Sequence, residues 1–449
     1  MDPLERPIVI ASNRGPVSYE YTDGSITAGR GGGGLVAGLG SLGDLGGVSW
    51  VAVAASEADR SVAADGPRTD VGFDISLLDI DAETKRRYYD VVSNETLWFA
   101  HHGLFDASRE PRFDDDWRES WAAYRTVNER FAGAITENAP EGATVLVQDY
   151  HLSLVGRMLA ERRPDLSSVH FHHTPFATHD ELSMFPVDIR AEITGGLAGN
   201  VACGFHTQRW ASRFTAAPTF ASPLGIDADE LRASASSPEC EAATERLRSQ
   251  IEGRSFIVRV DRIELSKNLL RGFDAYELLL ERDLSVRERV VFGAYCYPSR
   301  EGVPAYTTYR NEVEKRVAEI NARWGTANWT PILWEAEDDY PRSLAALRLS
   351  DVLLVNPVRD GLNLVAIEGA ILNDVGGSLV LSSEAGAVEQ LDRWSDVISP
   401  FDISATASAL SLGMTRSSTE RRGMAAGRRD AALARTPQAW LTDQLNAAT

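Results

Sequence analysis

Cysteine is scarce. Three residues in 449, Cys203, Cys240 and Cys296, lie far apart and without the close spacing of a metal-ligand set. That excludes a disulfide framework and fits structural thiols of a reduced compartment. Long apolar runs are also missing: nothing approaches the ~20 residues of a membrane span. The opening Met1-Asp2-Pro3-Leu4-Glu5-Arg6-Pro7 has no apolar signal core. The expectation is a cytoplasmic, soluble protein with no membrane partner. Positive charge is in deficit, 45 Lys and Arg against 65 Asp and Glu, for a net charge of −20. Nucleic acid is thereby excluded as a partner, since phosphate backbones demand clustered cations. A small anionic substrate is not excluded, because a few arginines in one cleft reverse the local field. There is no biased tract and no fixed-period repeat.

The composition is that of a globular protein, 43% hydrophobic and 24% charged. The length suits about two domains of roughly 200 residues each. Short, continuously apolar, β-rich runs recur at 8–11, 144–147, 169–171, 255–260, 289–294, 351–355 and 378–381. Continuous apolarity marks strands buried on both faces of a parallel sheet. Helical patterns at 117–135 and 303–323 lie between some of them, so the expected class is α/β. A boundary is expected after Pro223-Leu224-Gly225-Ile226-Asp227, where a charged, Ser- and Ala-rich segment (228–253) precedes a fresh strand. The domains are then 1–227 and 228–449, with a terminal helix near Trp440 packing back on the first. Ligands of open parallel sheets bind beyond the carboxyl ends of strands, and two such domains facing each other would enclose a cleft.

The most informative stretch is Val355-Asn356-Pro357-Val358-Arg359-Asp360-Gly361-Leu362-Asn363-Leu364-Val365-Ala366-Ile367-Glu368. An apolar strand runs into a tight charged turn and then a helix, whose N-terminal amides suit a phosphate. Asp360 and Glu368 can accept hydroxyls, as a sugar nucleotide requires. Arg262 and Lys267 follow another strand on one loop; Arg262 can fork onto a diphosphate and Lys267 can act as a point charge. Pro298-Ser299-Arg300 adds a guanidinium after the next strand. Near the N-terminus, Ser12-Asn13-Arg14 ends the first strand, and Arg30-Gly31-Gly32-Gly33-Gly34-Leu35 precedes an apolar helix. No Gly-Lys-Ser/Thr follows, so this is not a P-loop; read alone, the glycine run fits a flexible loop equally well. Gln148-Asp149-Tyr150-His151 and His172-His173-Thr174-Pro175 each close a strand. Adjacent His172 and His173 point to opposite faces, which disfavours a metal site. His173 is better read as a sugar contact, with Asp149 as its orienting carboxylate.

In this order the motifs resemble the trehalose-6-phosphate synthases, retaining glycosyltransferases of the two-domain GT-B fold. The resemblance runs over nearly the whole chain, from Ser12-Asn13-Arg14 to Pro400-Phe401-Asp402. It rests on the Gly-Gly-Leu loop, Tyr89 with Leu97-Trp98, Asp149-Tyr150-His151-Leu152 and His173 before Thr174-Pro175. It continues through Asp261-Arg262, Ser266-Lys267, Ser299-Arg300 and Arg359-Asp360-Gly361-Leu362-Asn363-Leu364-Val365. The resemblance implies two Rossmann-like domains across a deep cleft, the first binding acceptor and the second nucleotide sugar. It implies that Arg262, Lys267 and the amides of Asn363, Leu364 and Val365 hold the donor diphosphate, that Gly34 lets its loop close, and that Glu368 takes the ribose. Asp360 and His173 would take donor-glucose hydroxyls. Arg14 and Arg300 would clamp the acceptor phosphate, with Tyr89, Trp98 and Asp149 lining the acceptor sugar.

The implied reaction moves glucose from a nucleoside-diphosphate glucose to glucose 6-phosphate with retention, by front-face attack. No carboxylate pair for a double displacement is evident, and no cofactor is called for. Four positions depart from the family: Val53 stands in place of an aromatic near the acceptor, Gln148 in place of a His, and Glu264-Leu265 in place of Asp-Tyr. The first of these leaves related acceptors open: glycerol phosphate, or an aminocyclitol phosphate in a pseudo-glycosyltransferase. The nucleotide base (uridine, guanosine or adenosine) also stays open, because base contacts are often local and made by backbone. A silent sugar-phosphate sensor would be expected to lack Arg262, Lys267 or Asp360. A homo-oligomer is compatible with this reading. At this length no fused phosphatase domain is expected.

Overall fold

The computed structural model describes residues 6–30, 34–45 and 47–449. The chain forms two compact units: Met1–Gly225 together with Thr436–Thr449, and Ile226–Arg435.

In the first unit the strands are β1 (Ile8–Ala11), β2 (Val17–Thr22), β3 (Ser25–Arg30), β4 (Val48–Val53), β5 (Arg68–Asp70), β6 (Phe73–Leu78), β7 (Thr144–Gln148), β8 (Ser167–His172), β9 (Ala202–Phe205) and β10 (Thr219–Ala221). Eight of them form one sheet in the order β10-β9-β8-β7-β1-β4-β6-β5. It is parallel except for the edge strand β5, which runs against β6. Every residue of β1 and β7 is buried, as a sheet covered on both faces demands. Strand order reverses between β1 and β7, so the carboxyl ends of those two flank a topological switch point. β2 and β3 make a separate antiparallel hairpin, turned by Asp23 and Gly24, both at positive φ, the conformation a two-residue hairpin loop prefers.

Helix Asp115–Asn138 is capped by Asp114, which accepts from the Trp117 N–H. It buries Trp117, Trp121, Tyr124, Asn128, Phe131 and Ile135, a stripe at helical spacing. The preceding Arg86–Leu97 is wound as a π-helix, a form common at functional sites. The last helix, Pro437–Ala447, has Thr436 as its cap and proline at its start. It packs on β7 and β8: Gln444 accepts from Gln148 at 3.0 Å, and Trp440 meets Phe171 edge-on with centroids 5.1 Å apart. Gly38, on helix Gly34–Leu39, allows close approach: a Cβ there would lie 2.8 Å from Leu224 and 2.9 Å from Trp440.

The second unit contains β11 (Ser255–Ile263), β12 (Val290–Pro298), β13 (Ile332–Glu335), β14 (Val352–Val355), β15 (Ser378–Ser382) and β16 (Asp396–Ile398). They form one parallel sheet in the order β13-β12-β11-β14-β15-β16. Side chains alternate along β11: Phe256, Val258 and Val260 enter one apolar cluster with Leu347, Ile367 and Leu381. Ile257 and Ile263 enter another, with Phe273, Val313 and Leu410. Here the switch point lies between β11 and β14. The Ser- and Ala-rich segment read as a boundary forms two capped helices, Ala228–Ala235 and Pro238–Ile251. Among the described residues no helix is long and apolar enough to cross a membrane.

The C-terminal helix should be integral to the first unit. Trp440 is fully buried and its indole N–H has no hydrogen-bond partner among the described residues. Trp440→Ala is expected to cost about 3–5 kcal/mol and Trp440→Phe much less. Denaturant unfolding followed by circular dichroism would measure both; a loss below about 1 kcal/mol for the alanine variant would show that the helix is dispensable.

Candidate active site

Both switch points carry the residues picked out from the sequence. In the second unit, the carboxyl end of β11 leads to Asp261, Arg262 and Lys267, and that of β14 to Asp360 and Asn363. Lys267 Nζ donates to Asp360 Oδ2 at 2.7 Å, and Asn363 Nδ2 donates to the same oxygen at 3.1 Å. Burial disfavours the Lys267 charge, but Asp360 and Asp261 outweigh it and raise its pKa above the usual lysine value. It is held as an ammonium.

Asn363, at a left-handed φ of 77°, caps helix Leu364–Leu372 by accepting from the Ala366 N–H. The amides of Leu364 and Val365 open that helix, where no intrahelical acceptor exists and the dipole is positive. The turn is stitched to the loop after β15. Asp360 N–H donates to Glu384 O at 3.1 Å, Gly386 N–H to Asp360 O at 3.1 Å, and Ala387 N–H to Leu362 O at 2.7 Å. Gly386 is required there, since a Cβ would fall 2.0 Å from Gly361 O. Glu368 lies one turn along the same helix, and burial pushes its carboxyl up to about 7.

Arg262 and Arg300 share a carboxylate. Glu264, fully buried, lies 2.9 Å from Arg262 Nη1 and 3.7 Å from Arg300 Nη1 and accepts from Ser299 Oγ at 2.9 Å. Burial opposes its ionisation, but Arg262, Arg300 and Lys267 overcome it and lower its pKa. Arg300, at φ 52°, is further held by the Tyr306 hydroxyl, which accepts from its Nη1 at 2.8 Å. The departure at 264 therefore builds the link between the two guanidinium groups.

In the first unit, Arg14 follows β1 and is exposed, while its neighbour Asn13 accepts from the Tyr88 hydroxyl at 3.0 Å. Tyr89, on the π-helix, stacks on His151 at 5.7 Å, and Trp98 meets Tyr150 edge-on at 5.9 Å. His151 Nδ1 is 3.9 Å from Asp149 Oδ2. Tyr89, Trp98 and Asp149 are thus linked through the Tyr150-His151 pair. Asp149 does not orient the His173 ring: its Oδ1 accepts from the His173 backbone N–H at 3.1 Å. The ring is held by Gln148, whose Oε1 accepts from Nε2 at 3.0 Å while its own amide donates to Gln444. With the amide assigned this way, His173 carries its proton on Nε2. Burial first, and the neighbouring His206, His170 and His151, hold its pKa well below the ordinary histidine value. His172 points elsewhere, to Thr174 and His170.

Gly34 begins helix Gly34–Leu39, while Gly31, Gly32 and Gly33 lie outside the described residues. Val53 ends β4, buried, with its N–H on Asn13 O at 3.2 Å. Gln148, Glu264 and Tyr306 were not expected as site residues. The first two were visible as departures from the family pattern; Tyr306 carried no signal.

Two doubly wound parallel units of this kind, one with a lysine–carboxylate clamp at a helix N-terminus, define a glycosyltransferase of the GT-B class. The chain belongs to glycosyltransferase family 20, whose model matches residues 6–219 and 216–449. It is 33% identical over 457 residues to a trehalose-6-phosphate synthase of a Mycobacterium species (strain KMS), covering 94% of this chain and 91% of that one. It is 30% identical over 444 residues to a bifunctional trehalose-6-phosphate synthase/phosphatase of Thermoproteus tenax, covering 92% of this chain but 59% of that protein. The chain thus spans less than two thirds of that relative's length. A solved α,α-trehalose-phosphate synthase (UDP-forming) from Burkholderia xenovorans, in complex with glucose-6-phosphate, matches with a TM-score of 0.85 at 25% identity, over 98% of this chain and 99% of that one.

Glu368 gives a pH signature. Its folded pKa, about 7, lies above the ordinary carboxylate value, so its contribution to stability is present in acid and is lost as pH rises through about 7. Glu368→Gln should therefore gain on the wild type, by on the order of 2 kcal/mol, between about pH 5 and pH 8. Equal pH dependence of the two melting temperatures would show that Glu368 titrates normally.

Proposed function

We propose that this protein makes α,α-trehalose 6-phosphate by retaining transfer of glucose from a nucleoside-diphosphate glucose to glucose 6-phosphate. The observation that carries the reading is the convergence of Lys267, Asp360 and Asn363 at the start of helix Leu364–Leu372. Arg262, Lys267 and the amides of Asn363, Leu364 and Val365 take the diphosphate, and Glu368 takes the ribose. Asp360 and His173 take hydroxyls of the donor glucose. On the first unit, Arg14 takes an acceptor phosphate, and Tyr89, Trp98 and Asp149 take the acceptor sugar. Arg300 supplies a further guanidinium for phosphate on the second unit. The relatives' names support the substrates, and three free, buried cysteines support a cytoplasmic site of action.

In the reaction the bond between the anomeric carbon and the diphosphate oxygen breaks, and the anomeric hydroxyl of the acceptor attacks from the same face. Its proton passes to the departing phosphate oxygen. The protein aligns the two sugars and stabilises charge on the leaving group. Lys267 does so best as an ammonium, the state its two carboxylate neighbours enforce. His173, kept neutral with its one proton on Nε2 toward Gln148, leaves Nδ1 as an acceptor for a sugar hydroxyl and adds no charge.

The test incubates purified protein with UDP-, GDP- or ADP-glucose and glucose 6-phosphate and identifies the product by NMR. An α,α-linked disaccharide phosphate is expected, and Lys267→Ala should lower turnover by about two orders of magnitude. Transfer to glycerol 3-phosphate or an aminocyclitol phosphate instead would move the acceptor, in keeping with Val53. Transfer undiminished in Lys267→Ala would remove the clamp from the account.

A further inference from the structure

Resting on the donor reading above, we propose that Arg259 is the positioning residue of the diphosphate clamp. It apportions the Asp261 carboxylate so that the Lys267 ammonium stays free to serve Asp360 and the donor phosphates. Arg259 lies on β11, where the neighbouring positions are apolar, and it is fully buried. A guanidinium in such a place is costly unless every element around it is arranged to receive it.

The surroundings receive it through Nε and Nη2, while Nη1 has no hydrogen-bond partner among the described residues. Nε and Nη2 donate to Asp261 Oδ2 at 3.2 and 3.0 Å. Nη2 also donates to Lys267 O at 2.9 Å and to Asn356 Oδ1 at 3.1 Å. The guanidinium carbon lies 5.9 Å from the centroid of the Phe273 ring. Helix Leu269–Arg282 makes room for it with Gly272, where a Cβ would fall 2.4 Å from Nη1. One side chain thus ties together the ends of β11 and β14 and the loop bearing Lys267.

The division of Asp261 is the functional point. Its Oδ2 is taken by Arg259, and its Oδ1 faces Lys267 Nζ at 3.9 Å, while Asp360 holds the same ammonium at 2.7 Å. Two cations and two carboxylates balance. Without Arg259, the buried Asp261 would have Lys267 as its cation, and Coulomb attraction would draw the ammonium off Asp360. The backbone is held by the same network. Asn268, directly after Lys267, has a left-handed φ of 60° and is kept there by Nδ2 bonds to Asn356 O (2.9 Å) and Pro400 O (2.7 Å). Asn356 donates back to Asn268 O at 3.3 Å.

The experiment is a cycle of Arg259→Leu, Asp261→Asn and the double variant, with melting temperature, calorimetric Kd for UDP and GDP, and separate donor and acceptor KM. Arg259→Leu should weaken nucleoside-diphosphate binding and raise donor KM about tenfold, with acceptor KM unchanged. Asp261→Asn in the same chain removes the competing carboxylate and should restore affinity to within about threefold of wild type. A residue that only fills the core would lower the melting temperature without that rescue. A double variant binding no better than Arg259→Leu therefore overturns the proposal, as does wild-type affinity in the single variant. If Arg259→Leu does not fold, Arg259→Lys, which keeps the charge but not the fork, should fold and still weaken binding severalfold; wild-type affinity there also overturns the proposal. Wild-type protein binding no nucleoside diphosphate at all would instead bring down the donor reading, and this one with it.

Discussion

The loops at the carboxyl ends of the second unit's strands depend on one ion pair, Lys267 against Asp360 at 2.7 Å. Both side chains are largely withdrawn from water, and burial by itself lowers the lysine's pKa. The charge survives because a second carboxylate, Asp261, stands nearby and because the loops carrying all three are fastened from below. Such a pair is poor evidence for stability, since its desolvation cost rivals its attraction. Its value is a cation kept charged, and in one place, beside the N-terminus of helix Leu364–Leu372. A diphosphate needs both things: fixed positive charge and unpaired amides.

The parallel sheet makes the meeting possible. β11 and β14 are neighbours although about ninety residues separate them, and both end on the same side. The order of strands reverses there, so the loops part and leave room for a ligand. The first unit repeats the device with β1 and β7, whose ends carry Arg14 and Asp149. What differs is the chemistry added. The second unit supplies paired charges, whereas the first supplies an aromatic row (Tyr89, Trp98, Tyr150) and a neutral histidine. Those suit, respectively, a diphosphate leaving group and a sugar face.

Much of this was legible in the sequence. Buried parallel strands are apolar throughout, so β1, β7, β11, β14 and β15 stood out within a few residues of their bounds. The motifs sit at strand ends because chemistry does, and Arg262, Lys267 and Asp360 were read as candidates on that ground, while Asn363 entered through the family resemblance. Other features left little trace. The π-helix Arg86–Leu97 differs from an α-helix by backbone winding, with no compositional mark. The β2–β3 hairpin went unread, because its largely exposed strands lack the apolar run that marked the others. The roles of Gln148 and Arg259 could not be read locally. Gln148 orients His173 with the help of Gln444, 296 positions away, and Arg259 reads as an oddity in a strand until Asn356, 97 positions on, receives it.

The most direct measurement is a crystal structure of the protein grown with UDP or GDP. The account predicts the diphosphate against Lys267, Arg262 and the amides of Asn363, Leu364 and Val365, with the ribose at Glu368. A nucleotide bound elsewhere, or one leaving Lys267 on Asp360 with no phosphate contact, would contradict it.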